Sequence, residues 1–218
     1  MINQPASDSA RRSFLTRLGA AAAAFGLSSL TRSAGAESST VATLRDDEPW
    51  MQRLAGTGPQ RVIFHSHEAT SGTALTWART FLDTQKSSFN KTDKDSGVLV
   101  GLNGKAIGLI FNDALWAKYP IGQTLNMPGT KNPAGPTGSD AIAQLIARGV
   151  IILVCNNSLR ASGQRFLPED KRADAAARAA FAEEARANLL PGMEIVPSMV
   201  VALQQAQDRG CRYVYAGG

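Results

Sequence analysis

The sequence predicts an α/β protein, a three-layer α/β/α arrangement with a five-stranded parallel sheet. Three observations carry that prediction. Gly149–Arg160 reads GVIILVCNNSLR, in which Val150 to Val154 are uncharged and four of the five are β-branched. A strand buried on both faces reads this way, as in a parallel sheet covered by helices. Similar short apolar runs recur between residues 59 and 218 and alternate with stretches of helical periodicity, the pattern of a sheet with crossover helices. A hydrophobic fraction of 44% with 20 glycines in 218 residues fits one globular domain with room to spare.

The spare length lies at the start. Arg11-Arg12-Ser13-Phe14-Leu15 precedes an Ala-rich apolar run, Leu18–Leu30, and Ala34-Gly35-Ala36 supplies small residues before Glu37. The run is too short to span a bilayer. Residues 1–36 therefore resemble a bacterial twin-arginine export signal, and they imply a periplasmic mature chain with no membrane anchor after cleavage. Residues 37–58 are polar and end in Gly56-Thr57-Gly58-Pro59, which reads as a linker; Trp50, Met51 and Leu54 can pin a short turn of it to the domain at 59–218.

Within that domain, Arg61–Ser66 is the first strand. A helix follows, capped by Ser71 or Thr73 and running to about Phe89, with Leu75, Ala78, Phe81 and Leu82 on its apolar face. Val98–Leu102 is the second strand. Asn103-Gly104 after it permits a hairpin with 106–111, but Ile107, Ile110, Phe111, Ala114 and Leu115 fall at helical spacing, and a helix from Ala106 to Lys118 is preferred. Met127–Gly138 is a Pro/Gly-rich loop long enough to cover a site. Ser139 or Asp140 caps a helix ending at Gly149, which leads into the central strand. The stretch 169–190 reads as a helix with Ala173, Ala177, Ala180, Phe181 and Leu189 inward. Met193–Val196 is a short strand, Pro197–Gln207 a helix, and Arg212–Tyr215 the last strand. No internal repeat is visible.

The formal charge of +5 does not mark a nucleic-acid binder. Residues 1–36 carry four arginines against Asp8, leaving 19 basic and 17 acidic residues for the rest, which is no electrostatic footprint for nucleic acid. The chemistry-bearing residues gather at the carboxyl ends of strands, the edge where open α/β sheets bind ligands. Cys155 closes the central strand, Asn156 and Asn157 follow it, and Arg160 can fold back as a cation beside the thiol. His65 and His67, the chain's two histidines, sit two residues apart at the end of the first strand. On an extended segment they face one way and can share a divalent metal, with Glu68, Asp113 or Cys155 as a third ligand. Asn103 and Lys105 lie on the same edge and offer a turn with a cation for an anion.

GVIILVCNNSLR, together with LLPGMEIVPSMVVALQQAQDRG before a terminal strand carrying Tyr213 and Tyr215, and LVGLNGKAIGLIFNDALW after the first helix, resembles the DsrE/DsrF family of small α/β proteins. The similarity covers residues 60–218 and is to the exported branch. The resemblance implies strand order 4-3-2-1-5, assembly into a homo-oligomer (trimer or hexamer), and a persulfide carried on Cys155. The protein would then be at most a sulfurtransferase-like carrier with no obligatory cofactor, its partners small sulfur species or an unidentified protein. In that order Cys155 and Cys211 lie at opposite edges of the sheet, too far apart for an intrachain disulfide. The competing reading is a non-enzymatic oligomeric module that binds a small ligand or metal through His65 and His67. A flavodoxin-like electron carrier is disfavoured, because Thr70-Ser71-Gly72-Thr73 is a poor phosphate loop.

Overall fold

The computed structural model describes residues 48–127, 129–135 and 141–217. The expected export signal and the expected caps Ser139 and Asp140 lie outside them. Five strands form one sheet: β1 (Gln60–Ser66), β2 (Ser96–Leu102), β3 (Ile151–Cys155), β4 (Glu194–Val196) and β5 (Cys211–Tyr215). All pairings are parallel and the order is β4-β3-β2-β1-β5. The fold is the predicted α/β sandwich, and the strand order is the one the resemblance implies.

Alternation along the strands divides the core in two. Val62, Phe64, Val98, Val100, Leu102, Val150, Ile152 and Val154 face one layer. That layer holds α2 (Thr73–Phe89), α3 (Asp113–Lys118), α4 (Ile121–Thr124), α5 (Ile142–Ala147), α6 (Asn156–Arg160), α7 (Gly163–Phe166) and α8 (Ala175–Ala187). Ile63, Leu99, Ile151, Leu153 and Cys155 face the other layer. It is made by α1 (Pro49–Ala55) and α9 (Met199–Asp208), with Trp50, Leu54, Met199 and Ala206 at 0–1% exposure.

Three sequence expectations are corrected here. The linker does not extend to residue 58: α1 buries Trp50, Met51 and Leu54 in the second core, each such burial contributing about 1.5–3 kcal/mol, so the domain begins before residue 59. The helix expected over 106–118 is interrupted. Residues Ala106–Ile110 form a 3-10 turn, Phe111 is extended and bridges Leu189, and Asn112 caps α3 by accepting from the Leu115 N–H at 3.0 Å. The break occurs because the 188–190 segment takes the backbone partners a continuous helix would need, through Leu190 N–H to Ile110 O and Asn112 N–H to Asn188 O. The helix expected over 169–190 starts only at Ala175, where Asp174 caps the Ala176 and Ala177 N–H groups. Phe181 and Ala185 make its core contact, while Ala173 and Ala180 are exposed.

The loop from Met127 is tied down in its described part. Asn132 is buried and donates from Nδ2 to Leu109 O (2.7 Å) and Phe111 O (2.6 Å), while its Oδ1 accepts from the Ala134 N–H (2.9 Å). The amide thereby replaces the backbone partners lost at the 106–112 break.

Candidate functional site at the carboxyl edge of the sheet

Cys155 ends β3 at 5% exposure, its side chain turned into the α1–α9 layer. Its Sγ accepts the N–H of Met199, the first residue of α9, at 3.4 Å. Ser198, at the N-cap position, makes no side-chain cap bond, so the sulfur occupies the capping role. The expected helix directly after Cys155 is present as α6, yet the helix that presents a backbone N–H to the thiol is α9, 44 residues further on. Pro197-Ser198, between β4 and α9, marks the start of that helix in the sequence, though not its contact with the thiol.

The residues expected beside Cys155 point elsewhere. Arg160 is exposed and borders a surface depression with Ala175, Arg178 and Glu183 of α8. Asn156 Oδ1 accepts from Arg186 Nη2 at 2.7 Å, and Asn157 is exposed. Cys211, at the start of β5, pairs in register with Arg61 at the opposite edge. Both cysteines are free, as their positions predict. Burial, partly opposed by the nearby Arg61 cation, pushes the Cys211 thiol up to about 11.

Strand order reverses at β1, which lies between β2 and β5, and the histidines stand at its carboxyl end. His65 is buried, and both ring nitrogens are engaged: Nδ1 with the Tyr213 hydroxyl at 2.9 Å and Nε2 with Asn103 Oδ1 at 3.0 Å. Since an amide oxygen only accepts, Nε2 carries the proton and Nδ1 accepts from the phenol. Burial holds His65 below the usual 6.5; the Asn103 hydrogen bond opposes this, and the neighbouring His67 reinforces it. Tyr213 and Tyr215 flank the imidazole with ring centroids 5.8 Å away. Burial of the Tyr213 phenol, with Tyr215 beside it, raises its pKa.

His67 lies beyond the strand and is exposed, its ring laid over Gly104. A Cβ at Gly104 would sit 2.5 Å from the His67 Cε1, and the residue has φ +56°, so this position requires glycine. Sharing a metal between the two histidines would cost His65 one of its two partners. Among the described residues no group of three His, Cys, Asp or Glu side chains is placed to hold a metal. The 103–105 turn spends its backbone N–H groups internally: Asn103 on Ser66 O, Gly104 on Ser158 Oγ, Lys105 on His67 O. An anion there finds no backbone N–H of the turn open to it and must rely on side chains such as Lys105, whose Nζ is 3.3 Å from Glu68 Oε2. Sequence reasoning placed Asn103, Lys105 and His65 on one edge correctly but missed Tyr213 as the partner that orients the imidazole.

Fold and site together define a parallel α/β protein with a buried, hydrogen-bonded thiol at one strand end and an ordered imidazole two strands away. No family model matches this sequence, and no curated protein does. Among solved structures it is similar to a protein of unknown function from Methanobacterium thermoautotrophicum, at 18% identity and a TM-score of 0.43, over 72% of this chain and 98% of that one.

Proposed function

We propose that this chain is a periplasmic DsrE-like protein that carries sulfane sulfur as a persulfide on Cys155. The observation that carries the reading is the Met199 N–H held on Cys155 Sγ at the carboxyl end of a central parallel strand. A backbone donor at the start of a helix favours negative charge on the group it faces, and the carried persulfide is an anion. Burial at 5% exposure restricts the donor to a small species and shields the loaded sulfur from larger thiols.

In the loading step the Cys155 sulfur attacks the terminal sulfur of a hydropersulfide or polysulfide anion. A new S–S bond forms on Cys155, the donor's own S–S bond breaks, and the thiol proton leaves with the departing thiolate. Sulfane sulfur changes carrier and no external oxidant or reductant is consumed.

Intact-mass measurement after brief exposure to inorganic polysulfide tests the proposal. One added sulfur is expected on the wild type and on Cys211→Ser, and none on Cys155→Ser. An unloaded wild type, or loading that persists in Cys155→Ser, overturns it. Two accompanying readings belong to the same proposal: a mature N-terminus at Glu37 in protein recovered from the periplasm, and a trimeric or hexameric mass by light scattering.

A further inference from the structure

Beside the carboxyl ends of β1 and β2 lies a cavity of about 300 Å³, within the size range of small-molecule sites. Its walls include Glu68, Thr70, Ser71, Lys105, Thr124 and Asn126, a polar lining with both a carboxylate and an ammonium. The backbone that shapes it is unusual. Thr70, Ser71 and Asn126 have φ of +38°, +53° and +55°, and they are three of only four such non-glycine residues among those described. Left-handed conformations are costly for side-chain-bearing residues, most of all for β-branched threonine, and such residues concentrate where a ligand is held. The Thr70 hydroxyl reaches Ala216 O at 3.3 Å, fixing this wall to the end of the β1–β5 pair.

We propose that this cavity binds a small organic zwitterion of amino-acid size, its carboxylate on Lys105 and its ammonium on Glu68. The charge arrangement selects that class. Glu68 and Lys105 already neutralise each other at 3.3 Å, with side chains 40% and 50% exposed. A simple anion must displace Glu68 from Lys105 and leave the carboxylate alone, and a simple cation does the reverse. A zwitterion inserted between them leaves both charges paired, and the Ser71 hydroxyl and Asn126 amide supply neutral polar contacts. This site is separate from Cys155 and does not depend on the sulfur-carrier reading.

Nitrogen-15 NMR of the purified protein tests it with L-alanine, and with propionate and ethylammonium as its two charged halves. Alanine is expected to shift the Ser71, Lys105 and Asn126 amides saturably, while the halves at equal concentration leave them unmoved. Glu68→Gln and Lys105→Met are each expected to weaken alanine binding by about two- to fivefold, the scale of one half-exposed charge contact; unchanged spectra elsewhere show that these variants keep the fold. The proposal is overturned if alanine leaves those amides unmoved at millimolar concentration. It is equally overturned if either half shifts them as alanine does, or if both variants bind alanine like the wild type.

Discussion

Gly101→Ala tests how tightly the layer over Cys155 is built. Gly101 lies on β2 between His65 of β1 and Leu153 of β3. A Cβ added there would stand 2.7 Å from Met199 Sδ and 3.5 Å from its Cε. Comfortable contact is about 3.5–4.0 Å, so the sulfur must retreat by about 1 Å. Met199 is fully buried and has no solvent to retreat into, so the clash is an overpacking one, costing about 1–3 kcal/mol. For a domain of this size that lowers the melting temperature by about 2–12 °C. The thioether also belongs to the residue whose N–H rests on Cys155, so the variant should change the alkylation rate of Cys155 and leave that of Cys211 alone. Met199→Val removes the clashing atoms. In a double-mutant cycle followed by thermal denaturation, the pair should therefore cost less than the sum of the single variants, by about 0.5–3 kcal/mol. Strictly additive losses, or a Gly101→Ala protein that melts with the wild type, would refute the reasoning.

Two further outcomes are expected. Asn132→Ala leaves the carbonyls of Leu109 and Phe111 without their donor and should cost about 1–3 kcal/mol in denaturant unfolding; Asn132→Asp should cost at least as much, because a carboxylate then faces two carbonyl oxygens, and an Asp variant as stable as the wild type contradicts this. For His65 the folded pKa lies below 6.5, so at acidic pH the unfolded chain binds the extra proton. The stability this group contributes is present above about 6.5 and is lost as pH falls from there through the folded value. Melting curves should show a steeper acid decline for the wild type than for His65→Gln, and parallel declines would discard the assignment.

The sheet was legible in the sequence because a strand covered on both faces needs a continuous apolar run, and 150–154 has one. Helix α2 was legible because its apolar positions repeat at one spacing for seventeen residues. The 106–112 region misled for a physical reason: its helical spacing is real, but long-range bonds from 188–190 end the helix early. The candidate site shows the same division. Strand ends placed Cys155, Asn103 and His65 on one edge by pattern alone. Nothing local to His65 announces Tyr213, 148 residues away, and nothing local to Cys155 announces the N–H of Met199. Arg160, chosen for its closeness in sequence, is turned toward α8 instead.

Helix α1 has a consequence in time. It lies at the amino end of the domain, yet it packs against β3 and its Arg53 meets Glu194 at 2.8 Å, a partner 141 residues later. At synthesis rates of about 5–20 residues per second, Glu194 follows Arg53 by roughly 7–28 s. Trp50, Met51 and Leu54 spend more than half of that interval waiting for β3, whose Ile151 and Leu153 form part of the surface they finally cover. The strand that flanks β1 on its other side, β5, is made last of all. One face of the sheet is therefore sealed only once nearly the whole chain exists, and until then its apolar residues are available to any chaperone that reaches them first.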